Sequence, residues 1–369
     1  MEEEQICLVA LTKIPTIGYV HAKLLLDRFG SATAIFNASL PELQHIEGIG
    51  EIRAKNIRQF DGFRICSEIV RQSIEHGIEI IGYGDSRYPS RLKECYDPPV
   101  LLYYKGEAPL DLPKSVAIIG TRSHTEYGRQ VTERITRELA QQSIAVVSGM
   151  AYGIDGLAHR TAMQHGAITI GVLAHGLDHI YPSVHTGLGK EILRKGGALV
   201  TEFPIGTKAE RHHFPIRNRI VAGISQAVII VETGLRGGSM ITAALANSYN
   251  VPVFAVPGRI TDPTCSGSNR LIRDQKAIAY TGLTEFLMEM QWNEGAGKKE
   301  TARQLPLLTE LDLPSGILVN LLSKHSTLPV SDLYILSGLE AGTAAKAILD
   351  LELNGLVKVL PGRRYTLAK

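Results

Sequence analysis

The chain has 369 residues, 44% of them hydrophobic and 21% charged. That is too long for one ordinary domain and has enough apolar material for a sizeable core. No run approaches the roughly 18 apolar residues of a membrane helix, and the acidic start, Met1 to Glu4, is unlike a secretory or transit signal. The four cysteines, Cys7, Cys66, Cys95 and Cys265, stand far apart. This suits reduced thiols in a cytoplasmic protein better than a disulfide framework or a zinc site.

Net charge is +2, but its distribution is uneven. Residues 114–280 hold 18 basic and 11 acidic side chains, whereas residues 1–113 sum to −4 and 281–369 to −1. Positive charge gathered in the middle of the chain suits a phosphate-rich partner.

In chain order, residues 1–80 are helical in period. Ile14-Pro15-Thr16-Ile17-Gly18 precedes a helix from about His21 to Phe29, and Ile46-Glu47-Gly48-Ile49-Gly50 precedes one ending near Phe60. Both resemble helix-hairpin-helix turns, whose glycines let backbone approach a phosphate. The first lacks the leading glycine, and the region is acidic overall, so a structural role is favoured.

Residues 81–292 alternate β-branched apolar runs with helix-length segments. The runs are Val116–Ile119, Ala145–Val147, Thr169–Leu173, Ala198–Thr201, Ala227–Val231 and Val253–Val256. This predicts an α/β fold, a mostly parallel Rossmann-like sheet covered on both faces. Three strand ends are rich in small residues and run into helices. They are Gly120-Thr121-Arg122, Ser148-Gly149-Met150 leading to Asp155, and Glu232 to Gly237-Gly238-Ser239. Turns of this kind place backbone N–H groups and positive helix ends at the carboxyl edge of the sheet.

Between the second and third lies Arg211-His212-His213-Phe214-Pro215-Ile216-Arg217-Asn218-Arg219. Here arginines suit phosphates and Phe214 offers a flat face to an unpaired base. Core packing beside Pro215 is the alternative for Phe214, and a structural salt bridge the alternative for Arg217 and Arg219. The expected single-strand site is therefore Arg122, Arg211, Phe214, Arg217, Asn218 and Arg219. Added to these are Gly120, Thr121, Ser148, Gly149, Met150, Gly237, Gly238 and Ser239 at the strand ends.

Ser148, Asp155 and His159 are nucleophile, acid and base types in one stretch, but no G-x-S-x-G elbow holds them. Asp155 is better read as serving nearby backbone or an arginine. His175, Asp178 and His179 lack a further ligand and read as a hydrogen-bonded loop, so no metal and no cofactor is expected. Neither G-x-G-x-x-G nor a P-loop is present. The alternative function is a nucleotide phosphoribohydrolase, against which stands the missing glutamate downstream of Gly237-Gly238.

The polar stretch 293–304 reads as a linker. Residues 305–369 show three helical segments and a Val357–Leu367 hairpin, a winged helix. Its Ala341–Asn354 helix offers Lys346 but also Asp350 and Glu352, so a protein contact is favoured over duplex reading; Arg363 and Arg364 remain candidate phosphate contacts.

Several motifs stand together in order: Gly120 to Gly128, Ser148 to Asp155, Gly176-Leu177-Asp178 to Tyr181-Pro182, and Thr201-Glu202-Phe203-Pro204. Phe214 to Ile220, Glu232 to Ser239, Val256-Pro257-Gly258 and Gly267 to Asp274 follow. With them the chain resembles the DprA/Smf family of DNA-processing proteins. The resemblance implies an extended Rossmann-like core that binds single-stranded DNA through a basic pocket without acting as an enzyme. It also implies a homodimer through that core and contact with RecA, which the family helps load onto incoming strands in natural transformation. A single-strand-binding protein is a further expected partner. The chain departs from the family pattern at His185, where Asn is common, and at Gln275-Lys276, where Gly is usual.

Overall fold

A run of four or five β-branched residues buried on both faces forms a central parallel strand, and the helices between such runs return the chain over the sheet. The computed structural model describes residues 2–292, 313–325, 327–360 and 364–367. Its strands are β1 (Glu79–Gly82), β2 (Leu101–Gly106), β3 (Ser115–Ile119), β4 (Ala145–Ser148), β5 (Thr169–Val172), β6 (Ala198–Thr201), β7 (Ala227–Ile230), β8 (Val253–Ala255) and β9 (Ile278–Ala279). They lie in the order β1-β2-β6-β5-β4-β3-β7-β8-β9. From β6 to β9 every pairing is parallel. At the other edge β1 and β2 add an antiparallel hairpin. All six predicted runs are strands; β1, β2 and β9 were not anticipated.

Strand order reverses between β3 and β7, because β4, β5 and β6 build outward on one side of β3 and β7, β8 and β9 on the other. At such a switch point two connections diverge to opposite faces and leave a crevice at the carboxyl ends. Helix Glu126–Gln141 buries Val131, Ile135 and Leu139 along one stripe.

Residues 1–290 form one compact unit. The N-terminal helices share a core with the sheet edge: a Cβ at Gly82 would lie 2.4 Å from Leu8 Cδ1. Lys23 Nζ donates to Tyr83 Oη at 2.9 Å, and that hydroxyl donates to Asp27 at 2.8 Å. The two hairpin turns are tied to each other. Arg53 donates to the carbonyls of both Thr16 and Gly48 at 3.1 Å, and Asn56 donates to Thr16 Oγ1 at 3.1 Å. Gly48 has φ +88°, and Thr16, its counterpart in the first turn, is held at φ +73°.

The second unit is a winged helix. Helices Leu313–Lys324, Val330–Ser337 and Ala341–Leu353 pack on a three-stranded sheet of β10 (Leu328–Pro329), β11 (Val357–Leu360) and β12 (Arg364–Leu367), in the order β10-β12-β11. Leu318, Leu322, Leu333 and Leu351 form its core. Helix Ala341–Leu353 leaves Leu349 and Leu353 exposed. The expected linker 293–304 and Arg363 lie outside the described residues.

Candidate functional site

A cleft of about 380 Å³ opens at the switch point, over the carboxyl ends of β3, β4 and β7. Gly120, Thr121 and Arg122 line it from the end of β3, and Gly149 from the end of β4. Thr233, Arg236, Gly237, Gly238 and Ser239 come from the end of β7, and Phe214, Arg217 and Asn218 from the helix that precedes that strand. Arg211, Tyr181 and Tyr96 line its outward continuation, together with Arg122, Phe214 and Arg236.

Of the three strand-end turns, two already use their N–H groups internally. The carboxylate of Glu232, fully buried, accepts from Thr125 N at 3.0 Å and from Thr125 Oγ1. Thr125 Oγ1 in turn caps Gly128 N at the start of helix Glu126–Gln141. At the second turn Asp155 Oδ2 accepts from Gly149 N at 3.1 Å and Ala151 N at 3.4 Å. The third is different. Helix Gly238–Ser248 has Gly237 at its N-cap and no side chain capping it. Its first N–H groups and positive end face the cleft without a built-in anion, the arrangement that receives a phosphate or other oxyanion.

The arginines divide by environment. Arg122 and Arg236 are exposed at the rim. Arg217 is buried in the floor, where Nη1 donates to the carbonyls of Gly149, at 2.5 Å, and Val172. Burial presses its pKa down to about 10; Asp155 opposes the drop and Arg122 adds to it, so Arg217 stays cationic at neutral pH. Burial likewise pushes Asp155 up, against the pull of Arg217 and the two N–H donors. The ring of Phe214, half-buried, has Arg122 5.3 Å and Arg217 6.0 Å from its centroid, and Tyr181 tilts against it at 5.9 Å. Cations beside an aromatic ring make a polar wall with a flat apolar face.

Arg219 is a correction. It belongs to the expected site, yet the structure buries it away from the cleft. It pairs with Glu202, itself buried, donates to the Asp97 carbonyl, and lies 3.8 Å from the centroid of Tyr19. Helix geometry gives the reason: Arg217 and Arg219 are about 200° apart on an α-helix, so they cannot both face the cleft. Ser148 and Met150 are also turned inward. Ser148 Oγ donates to the Ile118 carbonyl at 2.7 Å, and Met150, at φ +58°, is fully buried. His185 supports that turn through its Nδ1, 2.9 Å from the Met150 carbonyl.

The side chains of Ser148 and Asp155 interact, but the His159 imidazole is turned to Thr169 and does not complete a relay with them. His159 Nδ1 lies 2.7 Å from Thr169 Oγ1, and burial lowers its pKa to about 3. In the loop after β5, His175 Nδ1 lies 2.9 Å from the Gly176 carbonyl, while its Nε2 accepts from Tyr181 N at 3.1 Å. Asp178 accepts from Gly206 N at 3.0 Å. These residues secure the loop. Arg236 and Tyr181 were missed as site residues. Arg236 was legible as the one cation inside the glycine-rich turn after β7, whereas nothing local in the sequence places Tyr181 against Phe214.

A helix-hairpin-helix region, a Rossmann-like sheet and a winged helix together define a three-part DNA-binding protein. The DNA recombination-mediator protein A family model matches residues 79–291, a helix-hairpin-helix motif residues 6–63 and a DprA winged helix domain residues 302–363. The chain belongs to the DNA recombination-mediator protein A (DprA/Smf) family. It is 36% identical to DNA processing protein DprA of Bacillus subtilis over 283 residues, 75% of this chain and 93% of that protein. With Protein Smf of Synechocystis it shares 30% identity over 98% of both chains. The X-ray structure of Streptococcus pneumoniae DprA superposes with a TM-score of 0.64 at 31% identity, covering 76% of this chain and 95% of that one. Helicobacter pylori DNA processing protein A, whose structure was described for its single-stranded DNA binding mode, gives a TM-score of 0.52 at 34% identity, over 56% of this chain and 93% of that one.

Proposed function

We propose that this chain binds single-stranded DNA in the switch-point cleft, protects incoming strands and helps load RecA onto them in natural transformation. The observation that carries the reading is the uncapped N-terminus of helix Gly238–Ser248 set among Arg122, Arg217 and Arg236, with Phe214 beside them. The N–H groups and guanidinium groups suit phosphates of any sequence. The ring suits a base face that only an unpaired strand exposes. Arg211 and Tyr181 extend the same surface outward for further nucleotides. A relative described as binding single-stranded DNA supports the assignment.

The cleft holds DNA without reacting with it. Its acidic groups, Asp155 and Glu232, are committed to backbone N–H donors, and Ser148 is turned inward. Contact with RecA and with a single-strand-binding protein, and pairing of two copies through the Rossmann-like unit, belong to this reading. The exposed Leu349 and Leu353 of the winged helix favour a protein contact there over duplex recognition. The test is equilibrium binding of labelled oligo-dT. Arg122→Ala and Phe214→Ala should each weaken it, by about 1–3 kcal/mol for the stacking ring, while circular dichroism stays unchanged. Unlabelled single strands should compete better than duplex. Nucleoside monophosphates incubated with the protein should yield no free base. Unchanged affinity in both variants would remove the cleft from the reading, and base release at enzymatic turnover would replace it with the phosphoribohydrolase.

A further inference from the structure

Beside the cleft, three side chains of potential metal-ligand type converge. One ligand atom each from Glu210, His212 and His213 lies within 4.8 Å of the others, the group of this kind found among the described residues. His212 Nδ1 is 3.5 Å from Glu210 Oε2, and the two imidazole centroids are 4.3 Å apart. The His213 ring is held in place: its Nδ1 lies 3.2 Å from the Lys208 carbonyl and its face lies against Phe203, 4.2 Å between centroids. The backbone is held too, since His213 N donates to the Glu210 carbonyl at 3.0 Å and so closes the turn on which all three ride.

We infer that Glu210, His212 and His213 form a binding site for a divalent transition ion of the zinc class, whose occupancy tightens the hold of the neighbouring cleft on phosphate. The donor set argues for the ion. Two imidazoles and a carboxylate suit Zn²⁺, Ni²⁺ or Cu²⁺, while Ca²⁺ and Mg²⁺ need oxygen ligands. Ligand atoms around a tetrahedral ion stand roughly 3.4 Å apart at bond lengths near 2.1 Å. Glu210 and His212 are exposed, so their side chains have room to rotate toward that spacing. Three protein ligands leave one position open to water or to a phosphate oxygen.

The place argues for the consequence. Arg211 sits between Glu210 and His212 in the chain and lines the outer cleft with Arg122, Phe214 and Arg236. Without the ion, the Glu210 carboxylate repels a polyanion approaching Arg211. With it, the cluster changes by two positive charges, and the turn carrying Arg211 is cross-linked. This second half rests on the cleft being the single-strand site.

The metal is tested on tag-free, full-length protein without DNA, using Co²⁺ as the spectroscopic probe and Zn²⁺ in competition. One equivalent of Co²⁺ should give the visible bands of a low-coordinate site, and Zn²⁺ should displace it. His212→Ala and Glu210→Gln, both at exposed positions, should weaken Zn²⁺ binding about tenfold or more. Stoichiometric binding that survives both substitutions, or no saturable binding, would overturn the site. Oligo-dT affinity is then measured with Zn²⁺ and with a chelator. At low salt Zn²⁺ should tighten it about fivefold in the parent chain and leave His212→Ala unchanged. Equal affinities with bound Zn²⁺ would overturn the coupling. Absence of oligo-dT binding in every condition, with Zn²⁺ still bound, would overturn the cleft assignment and spare the metal site.

Discussion

The guanidinium of Arg217 lies directly over the Cα of Gly149, so that a Cβ there would come within 2.6 Å of Cζ. Each residue determines the other. The glycine leaves the space that the guanidinium occupies as it reaches the Gly149 and Val172 carbonyls, and the arginine fixes the floor of the cleft. In Gly149→Ala this rigid, buried neighbour must move. The substitution should cost about 1–3 kcal/mol of stability by overpacking and weaken oligo-dT binding at the same time. Denaturant titration and fluorescence anisotropy measure the two effects.

Arg236 and Arg219 should behave oppositely. Arg236 is exposed on the rim, so Arg236→Ala should leave folding intact, weaken oligo-dT and lower the slope of log K against log salt by about one. A salt titration of the two proteins reads this directly.

Arg219→Ala leaves the Glu202 carboxylate buried without its cationic partner, with the Tyr19 hydroxyl still beside it. The expected loss is about 3–5 kcal/mol of stability, read by denaturant unfolding. Burial already raises the Glu202 pKa, and removing the cation raises it further. A carboxyl with a raised folded pKa contributes fully below its unfolded value and loses that contribution as pH rises through the folded value. The deficit of the variant should therefore shrink as pH falls toward the ordinary carboxylate range.

His159 should give the folded protein an acid-sensitive window. Its pKa falls from 6.5 to about 3 on burial, because the imidazole has left water beside Thr169. Stability from this group is complete above pH 6.5 and is lost as pH falls toward 3, since only the unfolded chain takes up the proton. His159→Asn should flatten the stability–pH curve between those limits, measured by urea midpoints at a series of pH values.

Gln275 stands at φ +54°, in the left-handed region that favours glycine. A non-glycine side chain there carries a conformational cost. Gln275→Gly should raise stability by up to about 1 kcal/mol, the left-handed penalty of about 1–2 kcal/mol less the entropy of the added glycine. A shift of the thermal midpoint is the readout.

Much of this molecule was legible from residue order alone. Short β-branched runs alternating with amphipathic segments specify a parallel sheet, since both depend only on local period and on burial of both faces. Small-residue turns at the ends of β3, β4 and β7 mark where backbone is approachable, because glycine conformational freedom is a local property. The edge hairpin β1–β2 was not legible, since its pairing with β6 joins residues about 100 positions apart. Nor did period reveal which turns were open. Glu232 closes one and Asp155 another through contacts that no local pattern announces, whereas the helix that follows the Gly237–Gly238 turn has no side-chain cap. Arg217 and Arg219 look alike in the chain, two residues apart in one basic run. The helix rotates one toward the cleft and the other onto Glu202, so packing alone separates the cation that shapes the site from the one that holds the fold.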